Sequence, residues 1–174
     1  MIETNLFSVP IWKILVNNFK QKKKDLKKIL KSFPEKRSGL QTFETNRQID
    51  RTYLSEHFSK IFENELNSLV DQLKTNIQIE DVWSISYKKE DYHITHNHGS
   101  IGLTGILYLD MPKDAPVTRY IQPWNNWIND TTVHCPFPVS EGTMIVIPKF
   151  VKHFTTPNKS KKIKQVVSWD MKVV

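Results

Sequence analysis

The sequence is poor in cysteine and contains no long apolar run. Cys135 is the only cysteine among 174 residues, which excludes an intramolecular disulfide. The longest apolar stretch, at 143–151, is interrupted by Pro148 and Lys149, whereas a membrane-spanning helix needs roughly 18 apolar residues. The N-terminal residues also lack the charged start and apolar core of a secretory signal. We therefore expect a cytoplasmic protein with no membrane partner.

The composition is that of an ordinary globular domain. Hydrophobic residues make up 39% of the chain and charged residues 25%, and the length suits one domain with its own core. The net charge of +7 allows a nucleic-acid partner. The lysines, however, are concentrated at 20–31 and 159–164 without interleaved aromatic residues, which is typical of a solvated basic surface. We expect a single domain over residues 1–174, do not favour nucleic-acid binding and leave the oligomeric state open.

Residues 1–76 have mainly helical periodicity. Apolar residues recur at a spacing near 3.6 in the segment 15–33 and again in 53–75, so each segment predicts an amphipathic helix. The connector 34–52 is polar and rich in turn formers, with a short strand indicated at 40–43. We expect this N-terminal part to pack its helices against a sheet.

Residues 77–174 change to short β-branched and aromatic runs separated by proline, glycine and asparagine. Strands of this kind without intervening helices predict an antiparallel sandwich or jelly roll. The long connector 111–142 carries Trp124 and Trp127, and long loops on a β scaffold often provide substrate selectivity. The predicted class is therefore mainly β with N-terminal helices.

Three of the six histidines lie between Asp91 and His98. Alternate residues of a strand share a face, so His96 and His98 are predicted on one side and His93 on the other. Two imidazoles at this spacing can chelate one divalent metal if a third ligand joins them. His153 is the natural third ligand, because it follows the apolar strand 143–147 and a turn.

The two remaining histidines, His57 and His134, have no partner at ligand spacing. A His-x-His pair also occurs by chance on amphipathic strands, so the sequence around the pair has to decide. Two blocks are informative: His96 followed by the strand-like segment 103–112, which ends in proline, and the segment 138–153, in which a glycine, an apolar run and a proline precede the last histidine.

These blocks, with the opening segment 5–12, resemble a family of small 2-oxoglutarate- and Fe(II)-dependent oxygenases from marine bacteria and their phages. The family is a His-x-His…His subset of the prolyl-hydroxylase-like superfamily, most of which has a carboxylate in the place of His98. The resemblance covers most of the chain. It implies a cupin-like double-stranded β-helix at 77–174 and, for a phage-encoded protein, a location in the host cytoplasm.

The resemblance also implies the chemistry. Fe(II) bound by His96, His98 and His153 would use 2-oxoglutarate as co-substrate and O₂ to hydroxylate an unidentified small molecule or protein side chain, as a non-haem dioxygenase does. Asp91 or Asp110 could support the metal ligands from behind. No other catalytic residue is predicted.

Lys164 occupies the position at which the family has an arginine for the far carboxylate of 2-oxoglutarate, and Lys162 shares its predicted face. Val166 stands where a serine is expected, so Tyr108 is predicted as a further hydrogen-bond donor to the co-substrate. We also expect substrate contacts from the long connector, with Trp124 and Trp127 covering the substrate and Arg119 meeting an anionic group on it.

Two alternatives follow from the same residues. The first is a cupin-like protein that uses the three histidines for zinc, manganese or iron without a keto acid, either as a 2-oxoglutarate-independent dioxygenase or as a binding module. The second is a non-catalytic interaction protein, with nucleic acid as one partner, in which the histidines are incidental. The position of Lys164 and Lys162 relative to the histidines discriminates between the oxygenase and the first alternative.

Overall fold

A computed structural model describes residues 8–37, 43–45 and 52–174, with the backbone alone at 43–45. The helices are α1 (Phe19–Leu30), α2 (Thr52–Ile61) and α3 (Glu63–Leu73). The strands are β1 (Trp12–Leu15), β2 (Glu35–Arg37), β3 (Phe43–Thr45), β4 (Ile77–Tyr87), β5 (His93–His96), β6 (Leu103–Asp110), β7 (Arg119–Ile121), β8 (His134–Pro136), β9 (Thr143–Pro148), β10 (His153–Thr155) and β11 (Lys164–Val173).

The strands form two sheets whose pairs are all antiparallel. The major sheet has the order β1-β9-β6-β11-β4-β3-β2, and the minor sheet has the order β5-β10-β7-β8. Side chains from both sheets meet in one apolar cluster that includes Ile85, Ile106, Tyr120 and Val166. This is the double-stranded β-helix predicted from the sequence, and the fold class is confirmed.

The other face of the major sheet is covered by the three helices. Leu26 of α1 and Phe58 of α2 belong to the same buried cluster as Val167 and Trp169 of β11. Successive residues of a strand point to opposite faces. The central strands of the major sheet are therefore buried on both sides, by helices on one face and by the minor sheet on the other.

The N-terminal part differs from the predicted helices in three places. Leu15 was predicted to begin a helix, but it ends β1, which pairs with β9 at the edge of the major sheet. A strand of only four residues does not visibly interrupt the helical spacing of the apolar residues that follow it. The predicted helix 53–75 is divided at Phe62, whose φ of −109° and ψ of 23° are not helical. The predicted strand at 40–43 falls outside the described residues except at Phe43, where β3 begins.

Residues before 77 thus supply three strands to the major sheet as well as the expected helices. Within the described ranges, none of the helices has the length and apolar character required to cross a membrane.

Gly105 of β6 gives a test of the packing on the helical side of the major sheet. It pairs with Trp169 of β11, and a Cβ at position 105 would overlap the indole ring. Overpacking a core costs about 1–3 kcal/mol, and 1 kcal/mol lowers the Tm of a chain of this size by roughly 2–4 °C. We expect Gly105→Ala to melt several degrees below the wild type in a thermal scan.

The matched control is Lys172→Ala, at an exposed position of β11, which should melt with the wild type. A Gly105→Ala protein that also melts with the wild type would contradict the packing of Trp169 over Gly105.

Candidate metal centre

The minor sheet brings the three predicted histidines together. His96 ends β5 and pairs directly with His153, which begins β10. His98 lies two residues beyond β5, where its backbone N–H donates a hydrogen bond to the carbonyl of Lys149 at 3.0 Å. One ring nitrogen from each histidine lies within 4.8 Å of the others. Three converging imidazoles are a suitable donor set for one transition-metal ion.

The orientation of two of these rings is fixed by backbone carbonyls. Nδ1 of His96 lies 2.8 Å from the carbonyl oxygen of Ile94, and Nδ1 of His153 lies 3.0 Å from that of Val151. A carbonyl can only accept, so each Nδ1 carries the proton and each Nε2 has a lone pair for a metal. These contacts preset the tautomer that ligation requires.

A carboxylate lies beside the third ring, whose Nδ1 also lies 3.4 Å from Oγ1 of Thr104. Nδ1 of His98 lies 2.9 Å from Oδ1 of Asp170, which is on β11 in the major sheet. Burial alone would raise the pKa of Asp170, but the hydrogen bonds from His98 and Thr104 and the charge of Lys149 hold it below its usual value. Asp170 is therefore ionised and supplies a negative charge next to one of the three candidate metal ligands.

Asp170 replaces the two acids that the sequence analysis considered for this role. Asp91 accepts a hydrogen bond from the backbone N–H of Lys88 at 2.8 Å, and Asp110 forms ion pairs with Lys23 and Lys27 of α1. Both acids are engaged away from the histidines. Asp170 was missed because no spacing rule links β11 to the His-x-His pair.

The prediction that His93 faces away from the other histidines is wrong. His153 pairs with His96 and Thr155 pairs with His93, so β5 has one residue more than β10 over this interval. Such a β-bulge interrupts the alternation of side chains. Both intervening residues, Ile94 and Thr95, are exposed. His93 consequently stacks on His96, with ring centroids 4.3 Å apart.

The buried histidines are neutral. Burial lowers the pKa of His153 to about 3 and that of His93 to about 3, and the neighbouring histidines add to both shifts. A metal must bind an imidazole that has no proton on the ligating nitrogen. His153 therefore needs to release no proton when a metal binds at neutral pH.

The histidines open into a cavity of about 410 Å³ between the two sheets. Its walls are mixed: Trp83, Ile85, Ile106 and Val166 form an apolar part, while Ser168 and Asp170 continue along β11. Tyr87 and Thr118 line it as well. The cavity is of a size that suits a small organic ligand.

Lys164 lies fully buried beside this cavity. Its Nζ donates a hydrogen bond to the carbonyl of Pro116 at 2.9 Å and lies 4.7 Å from the ring centroid of Tyr87, a residue of the cavity wall. Among the described residues it forms no ion pair with a carboxylate, and burial lowers the pKa of this lysine to about 7. A buried ammonium of this kind is suited to meet an anionic ligand.

Comparisons with known proteins address the fold. The sequence matches no protein-family model and no curated protein. The non-heme α-ketoglutarate-dependent epimerase SnoN from nogalamycin biosynthesis aligns with a TM-score of 0.72 at 10% identity, over 94% of this chain and 78% of that one. HygX from Streptomyces hygroscopicus, solved with nickel and 2-oxoglutarate, aligns with a TM-score of 0.67 at 11% identity, over 94% of this chain and 83% of that one. The collagen prolyl hydroxylase of Paramecium Bursaria Chlorella virus-1, solved as its 2OG complex, aligns with a TM-score of 0.58 at 18% identity, over 94% of this chain and 96% of that one.

This chain has the fold of 2-oxoglutarate-dependent oxygenases. The oxygenase fold explains the position of the three histidines and Lys164 between the sheets, since both sheets contribute to one interior. Tyr108 is buried in that interior as well, where its hydroxyl accepts a hydrogen bond from the backbone N–H of Thr118 at 3.4 Å. Its ring centroid lies 5.6 Å from Nζ of Lys164.

Lys162 and Arg119 lie outside the cavity. Lys162 is exposed and lines a separate surface groove with Lys159 and Glu141. It precedes β11, in a turn held by Asn158 and Ser160, so the alternation that orients Lys164 does not extend to it. Arg119 is exposed on β7, where its neighbours Thr118 and Tyr120 point inward.

The two predicted substrate-binding tryptophans are also elsewhere. Trp124 lines a separate apolar groove with Tyr120 and Phe137, and Trp127 is 91% exposed. Neither lines the cavity at the histidines, because the connector turns away from it after β7. In the oxygenase fold of this chain, the cavity wall is built from the sheets instead.

The contact between His98 and Asp170 predicts a loss of metal affinity in Asp170→Asn. Asparagine keeps the shape of the side chain but removes the charge that stabilises the metal-bound imidazole. Loss of such a supporting group typically weakens metal binding about 10–100-fold. We expect a loss in this range in a Ni(II) titration against a competing chelator.

Asp114→Asn is the control, because Asp114 is exposed and lines a surface groove separate from the histidine cavity. An Asp170→Asn protein that binds Ni(II) as tightly as the wild type would show that the carboxylate does not support the metal centre.

Proposed function

We propose that this chain, as a single domain over residues 1–174, is a 2-oxoglutarate- and Fe(II)-dependent oxygenase that hydroxylates a small molecule or a protein side chain. One observation carries the proposal: a three-histidine cluster lines a cavity, and behind Tyr87 of the cavity wall lies a buried lysine that has no acidic partner among the described residues. The three histidines are suited to bind a metal, and the buried lysine is suited to bind a carboxylate. A keto acid with a second carboxylate needs both.

His96, His98 and His153 would hold the metal, with Asp170 fixing the ring of His98. A bound Fe(II) supplies the activation of O₂, coupled to conversion of 2-oxoglutarate into succinate. Three protein ligands leave coordination positions open for small ligands. Trp83, Ile85 and Val166 form an apolar part of the wall beside the histidines, against which the apolar part of a substrate would pack.

Lys164 would bind the far carboxylate of 2-oxoglutarate as a point charge. The Lys164 ammonium now donates to the carbonyl of Pro116. When the co-substrate binds, its carboxylate would replace this carbonyl as a charged acceptor, and charge-assisted hydrogen bonds are strong in a buried setting. Tyr108, which lies next to Nζ, could add a second donor if its hydroxyl turns toward the co-substrate. The structural neighbours solved with 2-oxoglutarate support this use of the fold.

The function is tested by measuring succinate formed from 2-oxoglutarate by protein purified without oxygen and loaded with Fe(II), before O₂ is admitted. We expect slow turnover without added substrate, abolished in His153→Ala and reduced mainly through KM in Lys164→Met. Lys162→Met is the matched control, since this lysine is two residues away but exposed outside the cavity. It should turn over as the wild type does.

Two other outcomes would contradict the proposal. One metal bound per chain without succinate formation would favour the cupin-like alternative, in which zinc, manganese or iron acts without a keto acid. No bound metal would exclude both functions.

Lys164 also predicts how co-substrate binding depends on pH. Its pKa is lowered to about 7 by burial, so above pH 7 the free protein holds a neutral amine that must take up a proton to pair with a carboxylate. The affinity for 2-oxoglutarate should therefore fall as pH rises above 7, by at most tenfold per unit for one coupled proton.

Calorimetric titration of Ni(II)-loaded protein in buffers of different ionisation enthalpy measures this proton uptake. Above pH 7, the wild type should bind at most one proton per molecule of 2-oxoglutarate bound. Lys164→Met should bind none at this site. Equal proton uptake by the two proteins would contradict the assignment of Lys164.

A further inference from the structure

His93 is a buried polar residue for which the proposed metal centre has no use. It is 5% exposed, and its Nδ1 lies 3.2 Å from the hydroxyl of Tyr87. Its Nε2 is buried and has no hydrogen-bond partner among the residues that the structure describes. Buried polar atoms are rarely left unsatisfied, because each one loses its water without compensation. A buried ring nitrogen of this kind, at the wall of a cavity, is placed to form a hydrogen bond with a ligand there.

The β-bulge in β5 holds His93 at this place. The extra residue turns His93 into the cavity, where it lines the wall together with His96 and His153. Its ring is nearly parallel to that of His96, at an interplanar angle of 19°. Through Tyr87 it also connects to Lys164, whose ammonium lies over the Tyr87 ring. His93 thus lies between the metal ligands and the buried lysine.

The contact with Tyr87 makes Nε2 a donor in one of its two arrangements. When the tyrosine hydroxyl donates to Nδ1, the single proton of the neutral imidazole is on Nε2. A donor at this position would match an anionic oxygen in the cavity.

We propose that His93 is a co-substrate-binding residue, whose Nε2–H donates a hydrogen bond to the keto-acid carboxylate held at the metal. The proposal rests on the proposed function. The metal-side carboxylate is favoured over the far one because the His93 ring is stacked on a metal ligand, whereas the far carboxylate has Lys164.

A matched pair of variants separates hydrogen bonding from packing. Glutamine and methionine have similar length, but only the glutamine amide can donate in the place of Nε2. We would load wild type, His93→Gln and His93→Met with Ni(II), which binds without turnover, and titrate each calorimetrically with 2-oxoglutarate and with oxalate. Oxalate carries the metal-binding carboxylate but no distal carboxylate. His57→Met, in α2, controls for loss of a histidine.

We expect His93→Met to bind 2-oxoglutarate and oxalate about tenfold or more weakly than the wild type, as loss of one charge-assisted hydrogen bond would do. His93→Gln should retain most of the affinity for both, and His57→Met should match the wild type. Ni(II) affinity, measured separately against a chelator, should be the same in all four proteins.

Several results would overturn the assignment. Equal losses in His93→Gln and His93→Met would show a packing role, and a loss of Ni(II) affinity in both would show that His93 acts on the metal. Weaker binding of 2-oxoglutarate with unchanged oxalate binding would move the contact to the far carboxylate. If the wild type itself binds neither acid while holding Ni(II), the proposed function fails; if it binds both and His93→Met equals it, only the role of His93 fails.

Discussion

Strand β11 lies at the centre of the major sheet, hydrogen-bonded to β4 on one side and β6 on the other. Successive side chains of β11 point alternately to the helices and to the interior between the two sheets. Val167, Trp169 and Met171 are buried under the helices, while Lys164 and Asp170 belong to the interior between the sheets. Because the same ladder fixes both sets, the packing of the helical core and the position of both ionisable groups are determined together.

The minor sheet provides the complementary half of the site with fewer residues. Its strands β5 and β10 have four and three residues, yet their pairing sets His96 beside His153. Short strands with a bulge would orient side chains poorly in isolation. Here the carbonyls of Ile94 and Val151 fix the rings, so local backbone contacts compensate for the small size of the sheet.

Sequence reasoning succeeded where a feature depends on local pattern. The β-rich character after residue 77, the helical periodicity before it and the convergence of His96, His98 and His153 all follow from spacing and flanking residues. It failed for His93, because a one-residue insertion in β5 cannot be seen without the partner strand. It also failed for Asp170, because the approach of β11 to the end of β5 depends on the stacking of two sheets, which no periodicity encodes. Lys162 and Lys164 were predicted on one face of a strand because they are two residues apart, but the strand begins only at Lys164.

The location of Asp170 has a consequence for how such sites could change during evolution. In the commoner motif the carboxylate is itself a ligand, at the position of His98. A single replacement of His98 by aspartate here would set two carboxylates against each other in a partly buried place, where like charges are unfavourable. The exchange between the two ligand sets would therefore proceed through paired changes on two strands, 72 positions apart in the chain.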